Sequence, residues 1–201
     1  MAYRIITLNR EFESGGNEIA QKVAKKLGIQ YYDKFLITAA AKETGIEERR
    51  VEATDERLES RFEYSQAEAA FYFTSAKAPM PTGAQVAEIQ FDLIRKLAEK
   101  GPCVFVGRCA NHLLQDRDDV LDVFIHAGFE YRLQRAIQKL GLPEKRAVRV
   151  LKATDRARQA YYRNYTGCDW HDPSLYHLVL NPDRLGEGAC VDLICDIYRG
   201  A

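Results

Sequence analysis

The chain has 201 residues, of which 46% are hydrophobic and 29% are charged, so it is long enough to bury one substantial core. Lysine plus arginine and aspartate plus glutamate balance at 29 each, which excludes the global basic field that drives nonspecific nucleic-acid binding. No apolar run approaches the roughly 20 residues of a membrane helix, and no leader with a basic region and an apolar core opens the chain. We expect a single cytoplasmic domain with no nucleic-acid or membrane partner.

The first predicted unit is a strand, a glycine turn and a helix. A short apolar run, Ile5 to Leu8, precedes Ser14-Gly15-Gly16, and apolar residues then recur at helical spacing up to Leu27 and the stop at Gly28. Glycines let successive backbone N–H groups face one anion, and the helix N-terminus adds partial positive charge. The unit predicts a phosphate cradle, although an ordinary strand-to-helix turn uses glycine in the same way.

This turn lacks the full phosphate-loop pattern. The pattern G-x-x-x-x-G-K-[ST] requires a first glycine near Arg10, a lysine at Gly16 and a hydroxyl at Asn17, and none of these is present. A phosphate-binding function therefore depends on residues elsewhere in the chain.

The later strands alternate with helical patterns, which predicts a parallel sheet with helices on both faces. Two segments depart from this alternation: 34–99 is almost entirely helical in pattern, and 141–173 is rich in arginine and tyrosine. Ligands of open α/β sheets bind beyond the carboxyl ends of the strands, so both segments could cover such a ligand. The five predicted strands are Tyr3 to Leu8, Ile29 to Tyr32, Cys103 to Val106, Val120 to Ile125 and Tyr176 to Leu180.

Three groups of arginines are candidates for binding phosphate. Arg108 follows the third strand directly, where its planar guanidinium suits bidentate phosphate contacts. Arg132 and Arg135 lie three residues apart on the next helix and share a face. The 141–173 segment contains Arg163 among several other arginines, and a closing flap of this kind could neutralise phosphoryl charge. Each group is also consistent with an ordinary solvent-facing row of charges.

The cysteines favour neither disulfides nor a zinc site. Their number, five, is odd and their spacings are scattered, as in a protein with reduced thiols. Cys168 and His171 have a metal-like spacing, but no second pair completes a tetrahedral set.

A set of short motifs occurs in one order along essentially the whole chain. They are the glycine turn at Ser14 to Gly16, YYDK at Tyr31 to Lys34, FVGR at Phe105 to Arg108, FIHAGFEYRLQR at 124–135, D-x-x-R at Asp155 to Arg158, and YHLVLN at 176–181. In this order the motifs resemble the cytidylate kinase-like family, a divergent branch of the P-loop nucleoside monophosphate kinases. The resemblance implies a three-layer α/β/α P-loop NTPase fold with a five-stranded parallel sheet, a helical NMP-binding insertion at 34–99 and an arginine-rich lid at 141–173.

The resemblance also implies roles for single residues, with the backbone of the glycine turn holding the donor phosphates and the D-x-x-R pair positioning the acceptor. The candidates for binding donor phosphates are Ser14, Gly15, Gly16, Asn17, Arg132 and Arg135. The candidates for binding the acceptor are Arg108 and Asp155, and the candidate catalytic residues are Arg10, Asp33, Arg158 and Arg163.

The chain departs from the family pattern at three positions. Gly16 stands where cytidylate kinases have the loop lysine, Glu18 where they have a threonine, and Cys109 where the G-R-D element has its aspartate. Phosphoryl transfer depends on electrostatic stabilisation, which the lysine supplies, and Arg10 at the opening of the turn is the candidate substitute. Glu13 and Glu18 add negative charge that either recruits Mg²⁺ or repels the ligand.

The favoured hypothesis is a kinase that moves the γ-phosphate of ATP, with Mg²⁺, to a nucleoside monophosphate such as CMP or dCMP, or to a related small phosphorylated acceptor. The alternative is a nucleotide-binding module with little or no phosphotransfer, because the loop lysine is missing. A third hypothesis is a protein-interaction module that uses the aromatic patch at Phe71 to Phe73, although such aromatics commonly pack in a core.

Overall fold

The computed structural model describes residues 3–33 and 83–200. The aromatic patch at Phe71 to Phe73 and the part of the predicted insertion before residue 83 lie outside the described residues. Within the described ranges, no helix combines the length and the apolar character needed to cross a bilayer.

The centre of the fold is a parallel sheet of five strands, as expected from the sequence. The strands are β1 Ile5–Arg10, β2 Gln30–Tyr32, β3 Cys103–Val106, β4 Val120–Ile125 and β5 Leu178–Leu180, and their order in the sheet is β2-β3-β1-β4-β5. The strand β1 differs most from its prediction: it starts two residues later and continues through Asn9 and Arg10, which pair with Phe124 and Ile125 of β4.

Helices cover both faces of the sheet, which confirms the three-layer arrangement. One face packs Ile6, Leu8 and Val123 against α1 (Gly16–Leu27) and α7 (Glu187–Arg199), and the other packs Ile5 and Phe105 against α2 (Gly83–Lys100). The helices are α1 Gly16–Leu27, α2 Gly83–Lys100, α3 Ala110–Leu113, α4 Phe129–Leu140, α5 Glu144–Thr166, α6 Pro182–Leu185 and α7 Glu187–Arg199, with a 3₁₀ turn at Pro173–Leu175.

The segment predicted as a lid is mainly one long helix, α5, that packs on the body of the protein. Ala147 and Leu151 are fully buried against Leu133 and Ala136 of α4. Near its other end, Tyr162 joins an aromatic cluster that includes Phe124, Trp170 and Tyr176. Both ends of the helix are therefore anchored by buried side chains.

A polar seam runs through the second face of the sheet, where β1 alternates Ile5, Thr7 and Asn9. The Thr7 hydroxyl donates to Asp122 Oδ1 at 2.5 Å, and Asn9 Nδ2 donates to Asn111 Oδ1 at 3.1 Å. Asn111 Nδ2 in turn donates to the Tyr162 hydroxyl at 2.9 Å. Buried polar groups need such partners, so the seam fixes α3 and α5 relative to the end of β1.

Asp122 makes stability depend on pH, because burial raises the pKa of its carboxyl from 3.8 to about 6. The contribution of this group to folding is therefore greatest below about pH 4 and is lost as the pH rises through about 6. Asp122→Asn does not titrate and keeps an oxygen that accepts from Thr7. We expect the stability of this variant relative to wild type to increase by roughly 1 to 3 kcal/mol between pH 4 and pH 7.

Urea unfolding at several pH values measures this difference directly. The exposed Asp116→Asn is the matched control and should show a smaller dependence on pH. A stability difference between Asp122→Asn and wild type that stays constant with pH would contradict the assignment.

Candidate functional site

The turn between β1 and α1, residues 11–15, is called the glycine loop below. Its backbone has left-handed conformations at Glu13, with φ 56°, and at Gly15, with φ 88°, on either side of the buried Ser14. The Ser14 hydroxyl donates to the Glu11 carbonyl at 2.9 Å, which closes the turn from inside. Gly15 caps α1, so the loop ends at a helix N-terminus, where backbone N–H groups favour an anion.

Arg10 crosses the glycine loop and occupies the space in which a lysine at position 16 would begin. A Cβ on Gly16 would lie 2.5 Å from Arg10 Cβ and 2.8 Å from its Cγ, closer than any ordinary contact. A Cβ on Gly107, at the end of β3, would lie 2.7 Å from Arg10 Nη1. Because Gly16 and Gly107 have no side chains, they leave room for the Arg10 side chain.

The Arg10 guanidinium is buried and is held by groups from two elements. Its Nε donates to Asn17 Oδ1 at 2.8 Å, and its Nη2 lies 3.8 Å from Asp33 Oδ1 at the end of β2. The Asp33 carboxylate also accepts from the Tyr31 hydroxyl at 3.2 Å. Arg10, Asn17 and Asp33, three of the predicted site residues, therefore lie together.

A small cleft opens beside Arg10 at the carboxyl ends of β1 and β3. Three predicted arginines line it, so the cleft is basic and suits a phosphorylated or carboxylated ligand. Arg108 is 5.8 Å from the centre of the Tyr161 ring, a cation–π distance. The residues that line it include Arg10, Gly107, Arg108, Cys109, Arg158 and Tyr161.

The turn after β3 has three consecutive residues in the left-handed region: Gly107 at φ 75°, Arg108 at φ 59° and Cys109 at φ 56°. This conformation costs about 1 to 2 kcal/mol at a residue other than glycine, so the surroundings hold it in place. Burial raises the pKa of the Cys109 thiol to about 12. The cleft therefore presents a neutral thiol at the position where the sequence resemblance implies an aspartate.

Arg132 and Asp155, predicted to bind donor and acceptor respectively, contact each other and the glycine loop. Arg132 Nη1 lies 2.5 Å from Asp155 Oδ2 and also donates to the Phe12 carbonyl at 3.2 Å. Asp155 Oδ1 accepts from the Phe12 N–H at 2.7 Å. Arg132 is only 7% exposed, and its guanidinium is engaged by Asp155, Glu11 and the Phe12 carbonyl, which together leave little of it available to a ligand.

Arg135 lies beside the glycine loop, as predicted, but in a network of ion pairs. It contacts Glu18 at 3.0 Å, Glu187 at 2.9 Å and Glu13 at 3.8 Å. Lys139, one helical turn further along α4, pairs with the same Glu13 and Glu18. A Cβ on Gly15 would lie 3.4 Å from Glu187 Oε1, so this carboxylate lies next to the loop.

Arg163, a predicted catalytic residue, lies away from the cleft in the structure. It is exposed on α5, five residues after Arg158, which turns it to another face of the helix. Among the described residues, the lining of the cleft does not include it.

Sequence reasoning missed Glu11 and Glu187 as parts of the site. Glu11 Oε2 accepts from the Ala127 N–H at 3.1 Å and lies 3.3 Å from Arg132 Nε, while its Oε1 is 3.5 Å from His171 Nε2. Glu187 lies in the last helix, far along the chain from the loop. No local spacing pattern signals either contact, because each depends on how distant elements pack.

The described residues do not form a resident magnesium site. Within 3–33 and 83–200, no group of three or more His, Cys, Asp or Glu side chains is placed to hold a metal ion. The carboxylates of Glu13 and Glu18 point to Arg135 and Lys139 instead. Magnesium bound mainly by nucleotide phosphates and water needs no such preformed cage.

Comparison with known families confirms the family that the ordered sequence motifs indicate. A sequence profile of the "Cytidylate kinase-like family" matches residues 5–184, which is most of the chain. The chain belongs to this family. This cytidylate kinase-like chain therefore differs from the usual phosphate-loop pattern while remaining within the family.

Two cytidylate kinases are among its curated relatives. The one from Methanothrix thermoacetophila is 25% identical over 108 residues, 54% of this chain and 61% of the relative. The one from Methanosarcina mazei is 27% identical over 94 residues, 45% of this chain and 51% of the relative. The chain spans about half to three fifths of the length of these relatives.

Solved structures support the fold over nearly the whole chain. An uncharacterized protein from Eubacterium ventriosum has a TM-score of 0.72 and 25% identity, with 98% of this chain and 99% of that one covered. Shikimate kinase from Bacteroides thetaiotaomicron has a TM-score of 0.51 and 14% identity, with 96% of each chain covered. Together with the five-stranded parallel sheet, these likenesses show a P-loop NTPase fold for the cytidylate kinase-like chain.

The close approach of Arg10 to Gly16 predicts that substitutions at the two positions are coupled. Gly16→Ala should destabilise the protein by roughly 1 to 3 kcal/mol, because its Cβ meets Arg10 Cβ and Cγ. Arg10→Gly removes both atoms, so the double variant should be more stable than the sum of the single effects implies, by about 1 kcal/mol or more.

Urea unfolding of the four proteins in the cycle measures this coupling. Arg10→Ala combined with Gly16→Ala is the matched control, because it keeps the Arg10 Cβ at 2.5 Å and should recover less. Simple additivity in the Arg10→Gly cycle would show that Arg10 does not require the glycine at position 16.

Proposed function

We propose that the chain is a kinase that transfers the γ-phosphate of ATP to a nucleoside monophosphate of the CMP or dCMP type, or to a related small phosphorylated acceptor. Its family and the cytidylate kinases among its relatives support this class of reaction. The observation that carries the proposal is the buried Arg10 guanidinium, which lies between the glycine loop and the basic cleft.

In this proposal the donor phosphates bind at the glycine loop. The backbone N–H groups of Gly15 and Gly16 and the N-terminus of α1 supply the anion site. The Ser14 N–H donates to the Glu11 carbonyl at 3.3 Å and shapes the turn. Asn17 holds the Arg10 side chain in its path across the loop through the hydrogen bond to Nε. Mg²⁺ bound together with ATP would supply neutralisation of the phosphate charge.

The acceptor binds in the basic cleft, with its phosphate facing Arg108 and Arg158. Asp33 borders Arg10 and handles the acceptor at the side nearest β2. Arg10 places a fixed positive charge between donor and acceptor, where the transferring phosphoryl group passes. Such a charge is worth most when it is already oriented and shielded from water, and the arginine is only 7% exposed. Arg163 would add charge only if α5 moved toward the cleft.

A second candidate function is a nucleotide-binding module that does not transfer phosphate. The observation that favours it is the set of carboxylates around the glycine loop, since Glu13, Glu18 and Glu187 already occupy Arg135. Those carboxylates would weaken the attraction of a polyphosphate to the loop. Binding without turnover distinguishes this module from a kinase.

Product formation decides between the two functions. The protein is incubated with Mg²⁺ and ATP and, separately, CMP, dCMP, UMP, AMP or GMP, and the products are separated by chromatography beside an acceptor-free control. A kinase gives ADP and a new diphosphate only when an acceptor is present. ATP binding with no product from any acceptor supports the binding module, and the absence of ATP binding would contradict both functions.

Arg10→Ala should lower kcat by about 100- to 1,000-fold, the effect of removing one preorganised charge-stabilising group. Arg10→Lys keeps the charge but loses the planar fork of donors, so its kcat should lie between those of wild type and Arg10→Ala. Steady-state kinetics give the rates, and circular dichroism shows whether each variant is folded. Arg4→Ala is the matched control because Arg4 is exposed at the opposite end of β1, and it should retain wild-type kcat. An unchanged kcat in folded Arg10→Ala would remove Arg10 from the mechanism.

A further inference from the structure

The backbone of the glycine loop is bound by charged side chains from two helices. At Phe12, the N–H donates to Asp155 Oδ1 at 2.7 Å and the carbonyl accepts from Arg132 Nη1 at 3.2 Å. At Arg10, the carbonyl accepts from Arg158 Nη1 at 3.0 Å. Hydrogen bonds to charged groups are shorter and about twice as strong as neutral ones, so these contacts hold the loop firmly.

The D-x-x-R motif is directed at this backbone. Asp155 and Arg158 lie three residues apart on α5 and therefore share one face of the helix. One binds an N–H of the loop and the other binds a carbonyl two residues earlier. Arg158 also lies 5.5 Å from the centre of the Phe12 ring. The spacing of the motif matches the backbone of residues 10–12.

Both carboxylate oxygens of Asp155 are engaged within the protein. Oδ1 accepts from Phe12, and Oδ2 lies 2.5 Å from Nη1 of Arg132. The same arginine donates through Nε to the Ala127 carbonyl at 3.2 Å. A ligand hydroxyl at Asp155 would have to compete with this internal pair.

We propose that Asp155, Arg158 and Arg132 form a backbone clamp that sets the shape of the glycine loop. Asp155 and Arg132 are positioning residues for the donor, whereas the resemblance to cytidylate kinases implies acceptor binding for Asp155. Arg158 holds the backbone through Nη1 and also lines the cleft in which the acceptor is proposed to bind. The proposal rests on the proposed function only where it assigns the glycine loop to the donor nucleotide. The clamp itself is a property of the unliganded protein.

The loop needs such a clamp because its own sequence does not favour its shape. Glu13 adopts a left-handed backbone conformation, which is unfavourable for residues other than glycine. Contacts from outside the loop therefore have to maintain this conformation. The bond from Arg158 to the Arg10 carbonyl also fixes the residue whose side chain crosses the loop. The clamp therefore controls both the anion site and the direction of Arg10.

Hydrogen exchange of the unliganded protein tests the clamp without any assumption about activity. Asp155→Asn is nearly isosteric, keeps an acceptor for the Phe12 N–H and removes the charge opposite Arg132, while Asp155→Ala removes both. We expect exchange of a peptide that covers residues 10–15 to speed up about tenfold in Asp155→Ala and by less in Asp155→Asn. Unchanged exchange in both variants would overturn the clamp.

Nucleotide binding tests the assignment of the clamp to the donor. Calorimetry with a nonhydrolysable ATP analogue and Mg²⁺ should give a Kd about tenfold higher in Asp155→Ala, while the Kd for CMP changes less than about twofold. A higher Kd for CMP with an unchanged Kd for the analogue would overturn the proposal and make Asp155 an acceptor ligand. Arg156→Ala, an exposed neighbour on the same helix, is the matched control and should leave both constants and the exchange unchanged.

The two readouts separate failure of the clamp from failure of the proposed function. If wild type bound no ATP analogue, the proposed function would fail, and faster exchange in Asp155→Ala would still support the clamp. If wild type bound the analogue but exchange and the Kd were insensitive to Asp155, the clamp alone would fail.

Discussion

The path of one buried arginine side chain organises the site. Arg10 leaves the end of β1, passes over Gly16 at the start of α1 and reaches Gly107 at the end of β3. Both glycines lack the Cβ atom that would block this path. Because the strands are parallel, their carboxyl ends meet at one edge, and Arg10 connects the glycine loop there to the basic cleft.

This arrangement explains two departures from the phosphate-loop pattern as one structural change. The pattern has glycine where this chain has Arg10, and lysine where it has Gly16. A side chain at position 16 would collide with Arg10, so the arginine at the end of the strand requires a glycine at the start of the helix. Positive charge is kept near the loop, but it comes from the strand and carries a planar fork of donors.

Charged side chains surround much of the loop, although Phe12 packs against an apolar cluster. Arg132 and Asp155 hydrogen-bond to its backbone. Arg135 forms ion pairs with a carboxylate of the loop, one of α1 and one of α7. Burial of charge is costly unless each charge is paired, and the pairs here are short and shared among several groups. As a result, carboxylates lie beside the proposed anion site, and their repulsion opposes the binding of a phosphorylated ligand.

Local patterns in the sequence determined the strands, the glycine turn, the first helix and the positions of the arginines. These features follow from apolar periodicity and from glycine stops, which act over a few residues. Only the tertiary structure decided what the arginines contact, because Arg132 meets Asp155 and Arg135 meets Glu187 across long stretches of chain. It also decided that β1 continues through Asn9 and Arg10, since their pairing with β4 and the space above Gly16 exist only once distant elements have packed together.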